Sequence, residues 1–436
     1  MPELDGAPAE APTRGADLAV FAVGLVLACA IRALLLPTEG LRGDLDQFVL
    51  WVHGLATRPF SNAYDQNLSF PPVMVYLWGL LAAIEPAFRS VIDAADPAIR
   101  SIMKLPAGLA DNALGALVAW ELRSRPRWAL AAGLGILLHP AVIDISAWWG
   151  QYESIYVLFG LVAYLLAVRG YSLPAAAVLA VALMTKPQAL PFIVPFAAWF
   201  LARDGWLGAV KAAIVGATVI VVLWAPFLAA GGPAGYARNL AEYQGDIFAI
   251  LSIRAWNLWW LVQELWAGGN FVSDQGAVLG PVTLRHVGYL VAGILEVVVF
   301  LAVLRSPTRR TLALGLAAAV LVAFMFLTTM HERYAYAALV FLALLIPERR
   351  FLVTWIVFGV AFTLNLLAAV PPTPRIGELL PVQGPLGIAG SLAMLAVTIG
   401  VLWALISAPP AEPESEVEAE ASPTPGVGRP GGAIGP

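Results

Sequence analysis

Two carboxylates stand two residues apart in Leu41-Arg-Gly-Asp-Leu-Asp-Gln-Phe48, just past the first long apolar run. A carboxylate within reach of a bound hydroxyl can take its proton as a general base. Cations placed where negative charge develops can hold a departing anion. The chain offers Lys186, Arg333, Arg100 and Lys104 for that purpose, with His331 as a source of a hydrogen bond. Trp149, Gln151, Glu153 and Asn257 are the remaining polar or amphipathic side chains set among apolar surroundings. These residue types suit transfer of a group from an anionic carrier onto an alcohol. A lipid phosphate fits as the leaving group, since the sequence has neither a glycine-rich phosphate loop nor His-Glu-x-x-His.

The elements that must position these residues are membrane helices. Of 436 residues, 60% are hydrophobic and only 12% are charged, whereas soluble domains are roughly 25% charged. The net charge of −4 sits with an acidic excess near the C-terminus, and no basic stripe points to nucleic acid. A single cysteine, Cys29, lies in the first apolar run, which leaves no disulfide framework and no cysteine metal site. Apolar runs near the length that crosses a bilayer recur throughout. The expected class is an all-α polytopic transmembrane protein with about twelve spans, at 18–36, 101–122, 128–147, 152–168, 173–185, 188–202, 212–228, 286–304, 311–329, 335–346, 351–370 and 384–406. Residues 1–17 read as a cytoplasmic N-terminal segment followed by an uncleaved signal anchor. The Pro-, Glu-, Ala- and Gly-rich tail 407–436 reads as disordered and cytoplasmic.

The loop 37–100 is too broken for two clean spans. Its apolar piece 70–84 is short for a crossing helix and suits an interfacial or re-entrant one. The loop 229–285 is the second long connection. If the N-terminus is cytoplasmic and 70–84 does not cross, the short inside loops carry Arg123, Arg125, Arg127, Arg169, Arg203, Lys211, Arg305, Arg309, Arg310, Arg349 and Arg350, eleven basic residues. The short outside loops carry only Lys186, Arg333 and Arg375. That distribution obeys the positive-inside rule. It also gathers the polar residues named above on the outer side, from six separate segments. Ionisable groups at membrane depth are costly and tend to serve function.

Each residue also has a structural reading. Arg100 and Lys104 fit interfacial anchors, and Lys186-Pro187 fits a helix junction. His331-Glu-Arg333 fits a self-neutralising loop tip. The loop tryptophans Trp256, Trp259, Trp260 and Trp266 fit an aromatic belt. Asp44 fits an N-cap of the helix that follows, ionised at the positive end of its dipole. Asp44 and Asp46 point about 200° apart on a helix, which disfavours joint chelation of one metal ion. No metal and no cofactor is expected.

Several motifs in order resemble the GT-C superfamily of integral-membrane glycosyltransferases. The nearest likeness is to the bacterial relatives of the second mannosyltransferase of glycosylphosphatidylinositol assembly. The motifs are Gly43-Asp44 with Phe48 and Trp51; Phe70-Pro-Pro-Val-Met-Val-Tyr-Leu-Trp78; Lys104-Leu-Pro with Ala110-Asp111; His139-Pro-Ala; and Ser146-Ala-Trp-Trp-Gly-Gln-Tyr-Glu-Ser154. Lys186-Pro-Gln-Ala189, Ala255-Trp-Asn-Leu-Trp259 and His331-Glu-Arg-Tyr334 complete the set, which covers roughly residues 17–350. Departures are Phe70 where the family usually has Tyr, His139 where it commonly has Asn, and Tyr152-Glu153 where Val/Ile-Asp is frequent.

The resemblance implies a GT-C fold over 18–406, with first-loop helices lying along the membrane and Asp44 as catalytic base. The expected activity is inverting transfer of a hexose, mannose first among them, from a polyprenyl-phosphate donor to a lipid, glycan or protein hydroxyl outside the cytoplasmic membrane. Lys186, Arg333 and His331, with Arg100 and Lys104, would bind the donor phosphate. Trp149, Gln151, Glu153 and Asn257 would shape the sugar and acceptor pocket. The rival is a non-enzymatic transporter of lipid-linked sugars, which predicts polar sites facing the cytoplasm as well. A scaffold without catalysis would leave Asp44 fully exposed and unlinked to any cavity.

Overall fold

A computed structural model of the protein describes residues 14–243 and 248–410. Most of the proposed N-terminal segment, residues 1–13, and most of the proposed tail, 411–436, lie outside the described residues. The chain is mostly helical. In order, α1 (Arg14–Leu35), α2 (Arg42–Thr57), α3 (Pro72–Ile84), α4 (Pro97–Glu121), α5 (Pro126–Leu137) and the short α6 (Pro140–Ile143) lead into a π-helical turn, Asp144–Trp149. Then come α7 (Glu153–Ala167), α8 (Ser172–Leu183), α9 (Ile193–Leu228), α10 (Gly232–Glu242), β1 (Ser252–Ile253), α11 (Leu258–Ala267), β2 (Ala277–Leu279) and β3 (Val282–Thr283). The last part comprises α12 (Leu284–Arg305), α13 (Arg309–Phe326), β4 (Met330–His331), α14 (Tyr336–Ala343), α15 (Arg349–Ala369), α16 (Pro374–Leu379) and α17 (Pro385–Ile406).

By length and composition, six helical segments among the described residues can cross a membrane, or seven if α5 and the Pro140–Trp149 piece are one span bent by 40°. This is a membrane protein. One of the six, Pro187–Leu228, runs 42 residues, about twice what a bilayer needs. Gly205, at φ +68° and ψ −176°, breaks it into two helices, where two spans were expected. The other expected spans coincide with α4, α7, α8 and α14. The last three have 15, 12 and 8 residues, and eight residues rise only ~12 Å. α4 has 25 residues but buries Arg100, Lys104 and Asp111.

Local sequence explains the helix starts. Asp96 caps α4 by accepting from the Ala98 N–H, with Pro97 at the first helical position. Thr308 and Thr311 cap α13 reciprocally. α13 is the most enclosed long helix, with 78% of its apolar window buried, and it packs against α9, α12, α14 and α17. A second core lies in the first loop. There α2 packs on α3, and Phe48, Trp51 and Trp78 meet with ring centroids 5.4–5.7 Å apart. The 13 residues of α3 span ~20 Å, short of the ~30 Å hydrocarbon core. Finally, β1 pairs in parallel with β4, setting Ser252 against Met330 and Ile253 against His331. That pairing joins the loop 229–285 to the His331 segment.

Candidate functional site

Leu41 precedes α2 and its side chain makes no cap hydrogen bond, so Asp44 falls inside the first turn. The expected N-cap role is therefore corrected. Asp44 Oδ2 instead accepts from Trp149 Nε1 at 3.0 Å and from Gln151 Nε2 at 2.5 Å. Its Oδ1 has no hydrogen-bond partner among the described residues. Asp46 turns away: its Oδ1 accepts from Arg42 Nε at 3.1 Å and from the Ala94 N–H at 2.8 Å, tying α2 to the end of its own loop.

Trp149 and Gln151 reach Asp44 because of the π-helical turn. The N–H groups of Gly150 and Gln151 both donate to Ile145 O, at 3.1 and 2.9 Å, and Gly150 sits at φ +92°. A side chain there would be strained by that φ, and its Cβ would lie 2.6 Å from Leu45 and 3.0 Å from Lys104. Gly150 therefore lets the turn close against α2. A π-turn of this kind is a frequent functional feature. His139 starts the same passage: its Nδ1 accepts from the Ala141 N–H at 3.2 Å. An asparagine would cap in the same way.

Beside Asp44 lies a buried ionic cluster. Glu153 Oε1 pairs with Lys186 Nζ at 2.5 Å and with Arg333 Nε at 3.2 Å. Arg333 Nη1 also pairs with Glu332 Oε1 at 3.1 Å. Glu153 Oε2 is buried without a hydrogen-bond partner among the described residues. The Arg333 guanidinium lies 4.9 Å from the Trp149 ring centroid, and Lys186 Nζ lies 5.5 Å from that of Phe70. Both are within cation–π range, so Trp149 touches both the candidate base and a candidate anion ligand.

Burial disfavours charged forms here. It lowers the pKa of Lys186, against the opposing pull of Glu153 and with Arg333 adding to the lowering. It lowers that of His331 well below the usual histidine value, helped by Arg333 and Lys186, so the imidazole is neutral. Burial raises that of Glu332, against the pull of Arg333.

These groups border a cavity of about 400 Å³. Asp44, Trp149, Gln151, Lys186, His331 and Arg333 line it, together with aromatic side chains that include Phe48, Trp51 and Phe70. Six of the ten expected residues thus meet at one space, and Glu153 stands behind them. Asp44 is half-buried and borders the cavity.

Three of the expected residues stand apart from the cavity. Arg100 is spent on the carbonyls of Pro37, Ala94 and Ala95 at 2.7–2.8 Å. Lys104 Nζ donates to Thr38 O and Trp148 O at 2.8 and 2.7 Å. Asn257 caps α11 by accepting from the Trp260 N–H, and donates to Phe324 O at 3.0 Å. None of them lines the cavity. Arg100 and Lys104 are also too enclosed to be interfacial anchors, at 7% and 0% exposed; each instead donates to backbone carbonyls. Sequence reasoning missed Arg254 and Tyr243, which do line the cavity. They come from the loop 229–285, where the only available signal was a string of tryptophans.

The fold and site thus define a polytopic helical membrane protein with an ionic cluster under an aromatic-rimmed cavity. No protein-family model and no curated protein matches the chain.

Proposed function

We propose that this protein is an inverting glycosyltransferase of the GT-C type. It takes a hexose, mannose being the first candidate, from a polyprenyl-phosphate carrier to a hydroxyl of a lipid, glycan or protein. In this reading the bundle crosses the cytoplasmic membrane about twelve times, with α2 and α3 along its outer surface and the cavity facing outward. The observation that carries the reading is Asp44, whose Oδ2 is held by Trp149 and Gln151 while Oδ1 stays unclaimed beside the cavity. One oxygen fixed and one free is the geometry a general base needs.

The acceptor hydroxyl loses its proton to Asp44 Oδ1 as its oxygen bonds to the sugar C1. The bond from C1 to the phosphate oxygen breaks on the opposite face, inverting the anomeric centre. The electron pair leaves with polyprenyl phosphate. Phosphate charge rises from that of a diester toward that of a monoester, so a cation near the leaving oxygen acts mainly in the transition state. Lys186 and Arg333 stand at the cavity for this, each already paired with carboxylate, and neutral His331 offers one N–H. The apolar and aromatic lining suits an isoprenoid tail beside a sugar.

Purified protein in liposomes, given labelled polyprenyl-phosphate mannose and a membrane-lipid extract as acceptor, should release polyprenyl phosphate and form a labelled product. Asp44→Asn should stop both while binding the donor near normally. Full turnover by that variant would remove the mechanism. Movement of intact donor between leaflets, with none consumed, would favour the transporter.

A further inference from the structure

Three cations line the cavity: Lys186, Arg254 and Arg333. Lys186 is held by Glu153, and Arg333 by Glu153 and Glu332. Arg254 has no carboxylate partner among the described residues. Among the described residues its side chain makes one hydrogen bond, from Nη1 to Ala369 O at 2.9 Å. A guanidinium has five N–H donors, and this side chain is exposed.

The backbone at Arg254 is unusual. Its φ is +60°, in the left-handed region that a non-glycine residue seldom occupies without external support. The support is visible. Asn365, fully buried on α15, donates through Nδ2 to Arg254 O at 2.8 Å and accepts through Oδ1 from the Trp256 N–H at 3.0 Å. One amide therefore grips the chain on both sides of the strained residue. An isolated β-bridge to His331 holds the same residue to the β1–β4 pairing. Glycine would occupy this conformation without strain, yet the chain has arginine there.

We propose that Arg254 is the primary ligand for the phosphate of a lipid-linked substrate at this cavity, and that Asn365 is its positioning residue. This rests on the transfer reading above and adds to it a cation that, among the described residues, no carboxylate holds before substrate arrives. A phosphate approaching Lys186 or Arg333 must compete with carboxylates already in place. At Arg254 it meets unclaimed donors in a planar fork that matches phosphate oxygens. Capping the α15 C-terminus through Ala369 O uses only one of those donors and leaves the rest for the ligand.

The test measures binding of decaprenyl phosphate to the purified full chain in detergent, with inorganic phosphate as competitor. Arg254→Gln should bind about ten- to a hundredfold more weakly, the usual range for losing a hydrogen bond to a charged group. Arg254→Lys should recover only part of the loss, because a point charge replaces a fork. Asn365→Ala should weaken binding with Arg254 still present. Arg254→Gly, which relieves the backbone strain, should lose binding while keeping the wild-type melting temperature or exceeding it, so that lost affinity is separated from lost folding.

Equal affinity in wild type and Arg254→Gln overturns the assignment and leaves the transfer reading standing. Inorganic phosphate competing as well as decaprenyl phosphate overturns the lipid-linked form of the ligand. Wild-type protein that binds neither overturns this proposal, and with it the anionic carrier on which the transfer reading depends.

Discussion

Arg32 and Asp111 make one buried ion pair in this bundle, and Glu153, Lys186, Arg333 and Glu332 make a second, larger cluster. The first is saturated. Asp111 Oδ2 accepts from Arg32 Nε and Nη2 at 3.1 and 3.0 Å and from the Ser146 hydroxyl, while Oδ1 accepts from the Tyr336 hydroxyl at 3.1 Å. Arg32 Nη1 donates to Ala28 O and Leu137 O. Both side chains are sealed, at 3% and 0% exposed. The pair pins α1, α4, the π-helical turn and the start of α14 together. The second cluster leaves a Glu153 oxygen without a partner and opens on a cavity. Burial is common to the two; saturation is not. A buried charge whose hydrogen-bonding capacity is filled serves structure. One left partly unfilled beside a cavity is available to a ligand.

The largest effects come from breaking this comparison at its carboxylates. Asp111→Asn leaves the Arg32 charge buried without its counter-ion and should cost ~3–5 kcal/mol of stability, read as a fall in melting temperature in detergent. Asp44→Asn should leave the melting temperature near wild type and cut turnover by ~10²–10⁴-fold. If the two variants exchange phenotypes, the assignment of structure to one carboxylate and chemistry to the other is wrong.

A smaller effect distinguishes the clusters directly. Glu153→Gln removes the carboxylate from Lys186 and Arg333, but Arg333 keeps Glu332 at 3.1 Å, and the adjoining cavity can hydrate the freed charge. The expected loss is ~1.5–3 kcal/mol, below that for Asp111→Asn, with tighter binding of polyprenyl phosphate to the released cations. A loss as large as that at Asp111, with no gain in affinity, would erase the distinction. Smaller again is Gln151→Ala. It removes one of two hydrogen bonds to Asp44 Oδ2 and should lower kcat by roughly tenfold without changing the melting temperature.

How much of this was legible beforehand differs by residue, for physical reasons. Helical membrane character was written in composition, since apolar runs must satisfy their backbone internally. The short reach of residues 70–84 followed from length alone. Lys186, Arg333 and Asp44 stood out because ionisable groups are scarce here. Scarcity, however, does not report saturation. Arg100 and Lys104 looked equivalent to Lys186, yet they are spent on carbonyls of the connection after α1, of the 90–96 turn and of the π-helical turn. Asn257 looked like a pocket residue and is a cap. Arg254 carried no signal, because its lack of a carboxylate partner among the described residues depends on what folds near it, and its carbonyl is held by an amide 111 positions away.

The final and smallest expected effect concerns Lys186. Burial lowers its pKa, so it loses its proton at a pH below the ~10.4 of an ordinary lysine. Between the lowered value and the ordinary one, two trends should oppose each other. Affinity for polyprenyl phosphate should fall a few-fold as pH rises, because a cation leaves the cavity. Stability should rise over the same window, because the folded chain there binds fewer protons than the unfolded chain, and unfolding free energy increases with pH whenever the unfolded state holds more. Lys186→Arg keeps its charge through the whole range and should flatten both trends. The measurements are a binding series and a melting series on the same samples from pH 7 to pH 10. Matching slopes in wild type and Lys186→Arg would mean that Lys186 keeps its charge throughout, and that the second cluster is as closed as the first.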